Sequence, residues 1–230
     1  MFSLTTVSLE LKRKSNFMPS SPLSATSNYT RQRLFTLALC FVLATTSACA
    51  RTNAQDYFPL ADGAKWEYTG RFIPSSGGQY LIRSTIHIDG TTLIHGRRYY
   101  KYVLSGDFTG VPNMPPQIEQ VRNYRAESGG IYFLPGNDLD GTERLAMPLP
   151  IPIGERWQSG TAEVTAERAD TIEVGGHKYA DCLKLTYKEP GGRRTIEDYY
   201  APGVGLVKSV YTNTTPPQSS SELTLETYHL

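Results

Sequence analysis

From residue 57 onward, apolar residues recur at every second position rather than at helical spacing, and Gly, Pro, Asn and Asp divide the runs into short segments. A period of two sends alternate side chains to opposite faces of an extended chain, so each run reads as a β-strand with one buried face. The first such run, 65–72, sets Trp66 and Tyr68 on one face. The second, 79–89, aligns Ile82, Ile86 and Ile88 against mostly charged or polar neighbours. Further strands are predicted over 98–104, 117–126, 130–134, 161–174, 181–189, 193–200, 205–213 and 222–229. Within 181–189, Leu183, Leu185 and Tyr187 alternate with Cys182, Lys184 and Thr186. Hairpin turns are predicted at residues 94–97 and at Gly175-Gly176, because glycine reaches positive φ without steric cost. Ten to twelve strands in one stretch predict an all-β fold, an antiparallel curved sheet or incomplete barrel.

The pattern also repeats. Pro59, Gly63 and Trp66 are echoed by Pro150, Gly154 and Trp157. Gly96-Arg-Arg-Tyr99 is echoed by Gly176-His-Lys-Tyr179, and Tyr124 before Gly130-Ile131 by Tyr199 before Gly205-Leu206. Three landmarks in the same order suggest two duplicated halves that pair into one continuous sheet, because half a sheet cannot bury its own apolar face. Reuse of Gly turns and aromatics in any meander is the alternative.

Two loops are unusually apolar. Residues 107–116 carry Phe108, Val111 and Met114 among three prolines, and 136–154 carry the run Leu145 to Ile153 with three more. Proline removes backbone donors, so both are expected to be extended and non-helical, plugging a barrel end or covering a site.

The opening of the chain has a different pattern. Arg31 and Arg33 precede an apolar run from Leu34 to Ala44, too short to span a bilayer, which takes about 20 residues. Small residues follow, Thr45-Thr46-Ser47-Ala48, and then Cys49. A basic start, a short apolar core and a small-residue site make a secretory signal. The segment resembles a lipobox, although Thr46 stands where Leu or Val is usual. The resemblance implies a signal peptide over 1–48, with Met18 as a second candidate start. Lipidation would then fall on Cys49, with 49–56 as a tether and a single β domain over 57–230. Ala50 in place of Asp after the cysteine implies the periplasmic face of the outer membrane. Cleavage after Ala50, releasing a soluble periplasmic protein, is the alternative.

Charge follows the same division. Five of the 23 Lys/Arg and one of the 22 Asp/Glu lie in residues 1–48, leaving 18 against 21 and a net of −3 for the remainder. A mildly acidic domain has no electrostatic footprint for nucleic acid. Of three cysteines, Cys40 leaves with the signal and Cys49 is assigned to the anchor. Cys182 is then left inside a strand, as a small hydrophobe.

The start, Tyr57-Phe58-Pro59-Leu60 followed by Gly63 and Trp66, resembles uncharacterised bacterial lipoproteins. So does the end, Tyr199-Tyr200-Ala201-Pro202-Gly203-Val204-Gly205-Leu206-Val207-Lys208. Lipoprotein-localisation carriers, with incomplete barrels that hold acyl chains, offer an architectural analogy without a shared motif. Neither resemblance implies a catalytic residue.

Candidate chemistry is sparse. The four histidines, His87, His95, His177 and His229, have no metal-ligand spacing, and His95 and His177 fall in turns. Ser128-Gly129-Gly130 lacks the Lys and the helix of a phosphate loop. Asn137-Asp-Leu-Asp-Gly141 has alternating oxygen donors but lacks the distal Glu of a calcium loop, so a polar turn is preferred. Glu197 and Asp198 are adjacent on a strand, so they face opposite ways and only one can enter a concavity. No catalytic residue, metal or cofactor is assigned. The expected function is non-catalytic binding of an apolar or amphipathic ligand, or of an envelope partner, at a membrane reached through the lipid anchor. Trp66, Tyr68, Tyr102 and Trp157 are the candidate lining residues. The alternatives are a periplasmic enzyme using Glu197 or Asp198 in the concavity, and a structural interaction protein.

Overall fold

In the computed structural model of the protein, residues 54–136 and 138–230 are described. The signal peptide, Cys49 and most of the tether lie outside the described residues; the end of the tether forms one helical turn, α1 (Ala54–Tyr57).

The alternation read from the sequence becomes a pairing register. Strand β1 (Lys65–Pro74) pairs on one side with β2 (Tyr80–Ile94) and on the other with β12 (Ser219–His229). From β2 the chain meanders outward through β3 (Arg97–Asp107), β4 (Gln117–Glu127), β5 (Gly130–Pro135) and β6 (Arg144–Pro148). From β12 it runs back through β11 (Gly205–Asn213), β10 (Arg194–Ala201), β9 (His177–Lys188) and β8 (Ala162–Val174) to β7 (Arg156–Ser159). All neighbouring strands are antiparallel. The twelve strands form one sheet, curled nearly into a barrel with a single unsealed seam. That seam lies between β6 and β7, the two sheet edges, which follow one another in sequence.

These two edge strands are the elements that the strand pattern omits. Residues 144–148 read as part of a proline-rich loop, yet they pair with β5, with Ile131 opposite Met147. An edge strand needs hydrogen bonds on one side only, so proline is tolerated there. The expectation of one long loop over 136–154 is therefore corrected. Across the seam, side chains stand in for a ladder. Trp157 Nε1 donates to the Ala146 carbonyl at 3.3 Å. A single parallel bridge joins Ile153 to Ala166.

The three repeat landmarks fall at equivalent places. Trp66 and Trp157 open β1 and β7; the β2–β3 hairpin turns at His95-Gly96 and the β8–β9 hairpin at Gly175-Gly176; Tyr124 and Tyr199 lie on β4 and β10. Each half is a six-stranded meander. Gly175 and Gly176 have φ of 58° and 79°, as the hairpin requires.

The segment before β1 closes one end of the barrel. Gly203 N–H donates to the Asp56 carbonyl at 2.6 Å, and the Tyr57 hydroxyl donates to the Asp181 carbonyl at 2.8 Å. Phe58 then enters the core among Tyr124, Ile131, Phe133 and Tyr200. A second cluster gathers around Trp66, Ile86, Ile88, Cys182 and Leu225. The loop after β3 folds back on the sheet, packing Val111 against Phe72 and Ile82, with Phe108 edge-on to Phe72 at 6.3 Å. Its apolar side chains Phe108, Val111 and Met114 pack there rather than on the cavity lining. The loop after β5 meets the outer face instead. Glu143 accepts from Arg125, Arg97 and Tyr99, and His95 Nε2 lies 3.2 Å from the Leu139 carbonyl.

Candidate functional site: the barrel interior

Burial of the inner face is incomplete. Between the two main clusters lies a cavity of about 1020 Å³. That is the upper end of the ~300–1,000 Å³ range typical of small-molecule sites. Its wall follows from strand phase. On β3, Tyr102 and Leu104 point inward; on β4, Gln120, Arg122 and Tyr124; on β10, Arg194, Ile196, Asp198 and Tyr200.

Aromatic rings dominate the deep part. Phe58 lies 4.8 Å from Tyr124 and 5.8 Å from Tyr102 between ring centroids, and Tyr124 lies 5.4 Å from Phe133. Such offset and tilted contacts hold the rings in place while leaving faces and edges toward the free space.

Of the four lining residues expected from the sequence, Tyr68 and Tyr102 face the cavity. The Tyr68 hydroxyl donates to the Leu206 carbonyl at 3.0 Å, so its polar end is satisfied and its ring forms wall. Trp66 packs in the second cluster, 3% exposed, with Nε1 donating to the Val204 carbonyl at 2.6 Å. Trp157 stands at the seam. Both indoles thus serve closure of the barrel, one at the end and one at the side.

The adjacent carboxylates separate as strand geometry demands. Glu197 faces out and pairs with Lys184 at 2.6 Å, which removes it as a cavity carboxylate. Asp198 faces in, opposite Ser209 on β11 and Leu185 on β9. Its Oδ2 accepts from the Tyr200 hydroxyl at 3.4 Å, while Oδ1 is buried and has no hydrogen-bond partner among the described residues. Burial pushes its carboxyl up to about 6, partly offset by the hydroxyls of Ser209 and Tyr200 and by the positive charge of Arg122. Burial likewise raises the phenols of Tyr68, Tyr102, Tyr187 and Tyr200, and the Asp198 charge raises them further.

Arg122, on the opposite part of the ring, supplies the cation. Its Nη1 donates to the Tyr124 hydroxyl at 3.3 Å and its guanidinium lies 5.3 Å over the Phe133 ring. Arg144 of β6 approaches the same ring at 6.0 Å. Sequence reasoning singled out neither arginine. The available signal was phase: Gln120, Arg122 and Tyr124 alternate on one face of a strand that was correctly placed.

No protein-family model and no curated protein matches the chain. Solved structures similar at low levels include the following three. One is a protein from Bacteroides fragilis described as exported, with a YmcC-like fold. It has 13% identity and a TM-score of 0.41, covering 76% of this chain and 99% of that one. Another is a protein from Parabacteroides distasonis described as a lipoprotein, with 14% identity and a TM-score of 0.40 over 75% and 98%. The third, a LolA superfamily protein from Nitrosomonas europaea, has 10% identity and a TM-score of 0.27 over 77% and 89%. Scores this low assign neither a family nor an activity to this chain.

Proposed function

We propose that this is an exported cell-envelope protein that holds an apolar or amphipathic ligand inside its nearly closed barrel. The carrying observation is the cavity of about 1020 Å³ walled by aromatic side chains, with charged groups confined to a few positions. The reading includes the lipid anchor at Cys49, which would hold the barrel at the periplasmic face of the outer membrane.

Two measurements test it. Delipidated protein should take up tetradecanol, followed by tyrosine and tryptophan fluorescence; absence of uptake overturns the ligand-binding role. Protein purified from membranes of its own host should have the mass of residues 49–230 plus a diacylglycerol and an acyl chain. An unmodified mass beginning at Arg51 overturns the anchor and leaves the soluble form.

One observation favours a second reading. A carboxyl titrating near 6 beside a substrate-sized space suits general acid–base chemistry, so Asp198 could serve a hydrolytic reaction. A hydrolase activity lost in Asp198→Asn while the fold is retained would favour this reading; activity unchanged in that variant would end it.

A further inference from the structure

Many ionised side chains of this barrel are paired, as Lys184 is with Glu197, Lys208 with Glu222 and the buried Arg125 with Glu143. Arg194, at the cavity wall, meets Glu189 at 3.5 Å. Three charges facing the cavity differ. Asp198 carries a buried oxygen without a partner. Among the described residues, no carboxylate lies within ion-pair distance of Arg122 or Arg144, and both guanidiniums lean on the one ring of Phe133. Two like charges held at one ring repel each other, and an anion placed beside them relieves that repulsion. An unpartnered carboxylate oxygen among tyrosine rings has the opposite preference, since both the charge and the ring faces attract a cation. Asp198 on β10 and Arg122 on β4 thus face one space from opposite walls, with Arg144 of β6 at its exposed rim and Glu119 and Arg194 also on the lining.

We propose that the cavity selects amphiphiles with a zwitterionic head, the ammonium group against Asp198 and the anionic group against Arg122 and Arg144. The inference rests on the ligand-binding reading above and names the head group that the site takes. A fatty carboxylate would satisfy the arginines but meet Asp198. A simple alkylammonium would satisfy Asp198 but meet the arginines. A long-chain alcohol fills the apolar space and engages neither charge.

The test uses the delipidated full chain and four probes of equal chain length below their micellar concentrations: tetradecylphosphocholine, tetradecanoate, tetradecyltrimethylammonium and tetradecanol. Titrations run at about pH 8, above the Asp198 transition, so that the carboxylate is ionised. Tetradecylphosphocholine is expected to bind at least about tenfold more tightly than the other three. Asp198→Asn and Arg122→Gln should each reduce that preference to about threefold or less. A zwitterion no tighter than tetradecanol, or a preference that survives Asp198→Asn intact, overturns the proposal. Tetradecanol bound without any head-group preference defeats this inference alone; no binding of any probe defeats the ligand-binding reading with it.

Discussion

Trp157 donates its indole N–H to the backbone carbonyl of Ala146 at 3.3 Å, so a side chain of β7 grips the main chain of β6 where the barrel lacks a ladder. Eleven strand-to-strand joints are held by backbone hydrogen bonds, and this twelfth is held by side chains. A joint of that kind is the weakest part of the ring and the natural place for it to open.

Trp157→Phe keeps most of the packing and removes the hydrogen bond. It should cost about 1 kcal/mol of global stability and speed amide exchange at residues 144–148 and 156–159 more than in β1 or β12. Hydrogen exchange read by mass spectrometry checks this. Uniform acceleration across all strands would show that the seam is not a separate opening unit.

Asp198 makes stability depend on pH with a definite sign. Its folded-state value of about 6 lies above the usual 3.8, so the folded protein holds the proton more tightly than the unfolded chain. Unfolding releases a proton between those values, and the Asp198 contribution to stability falls as pH rises through that window. Above it the penalty is constant, about 2–3 kcal/mol. Asp198→Asn should therefore raise the ligand-free unfolding temperature at about pH 7.5 and leave it close to wild type at about pH 4. Paired thermal melts at the two pH values decide it, and a variant less stable than wild type at the higher pH would refute the shift.

Gly70 sits on β1 where that strand meets β12, opposite Leu223. A Cβ there would come within 1.9 Å of the Glu222 carbonyl oxygen. Backbone, unlike a flexible side-chain tip, cannot step aside cheaply, so Gly70→Ala must part the first and last strands. A loss of about 2 kcal/mol or more is expected in urea unfolding. A midpoint equal to wild type would mean that the two strands have slack.

Leu104 lines the cavity without belonging to the fully buried core. Leu104→Trp should fill space now open to a ligand. Tetradecanol uptake should fall by about tenfold or more while the unfolding temperature changes little. Retained uptake with the fold intact would place the ligand elsewhere.

The alternation of residues such as Ile82, Ile86 and Ile88 already stated a sheet with one buried face, and the three echoed landmarks already stated two halves of like order. These features were legible because strand periodicity and turn chemistry are local properties, written within ten residues. The same locality separated Glu197 from Asp198, since adjacent strand residues must face opposite ways. β6 and β7 were not legible. Both are short and paired on one side, and β6 ends in Pro148, so their sequence carries little of the alternation that marks a central strand. Trp66 and Tyr68 share a face in sequence and pack in one cluster, yet only Tyr68 also lines the large cavity. Which of them meets the cavity depends on how far the plugging segment around Phe58 reaches, a matter of tertiary packing.

The sequence by itself therefore determined that the chain would form strands, where most of them turn, and that only one carboxylate of an adjacent pair could enter the interior. Only the tertiary structure decided that the edges would meet as a seam, that a large space would remain inside, and that Asp198, Arg122 and Arg144 would share it. The reason is physical: periodicity acts between neighbours in the chain, whereas a cavity is what remains when strands far apart in sequence, such as β4, ending at Glu127, and β10, beginning at Arg194, are held at the distance set by ring closure.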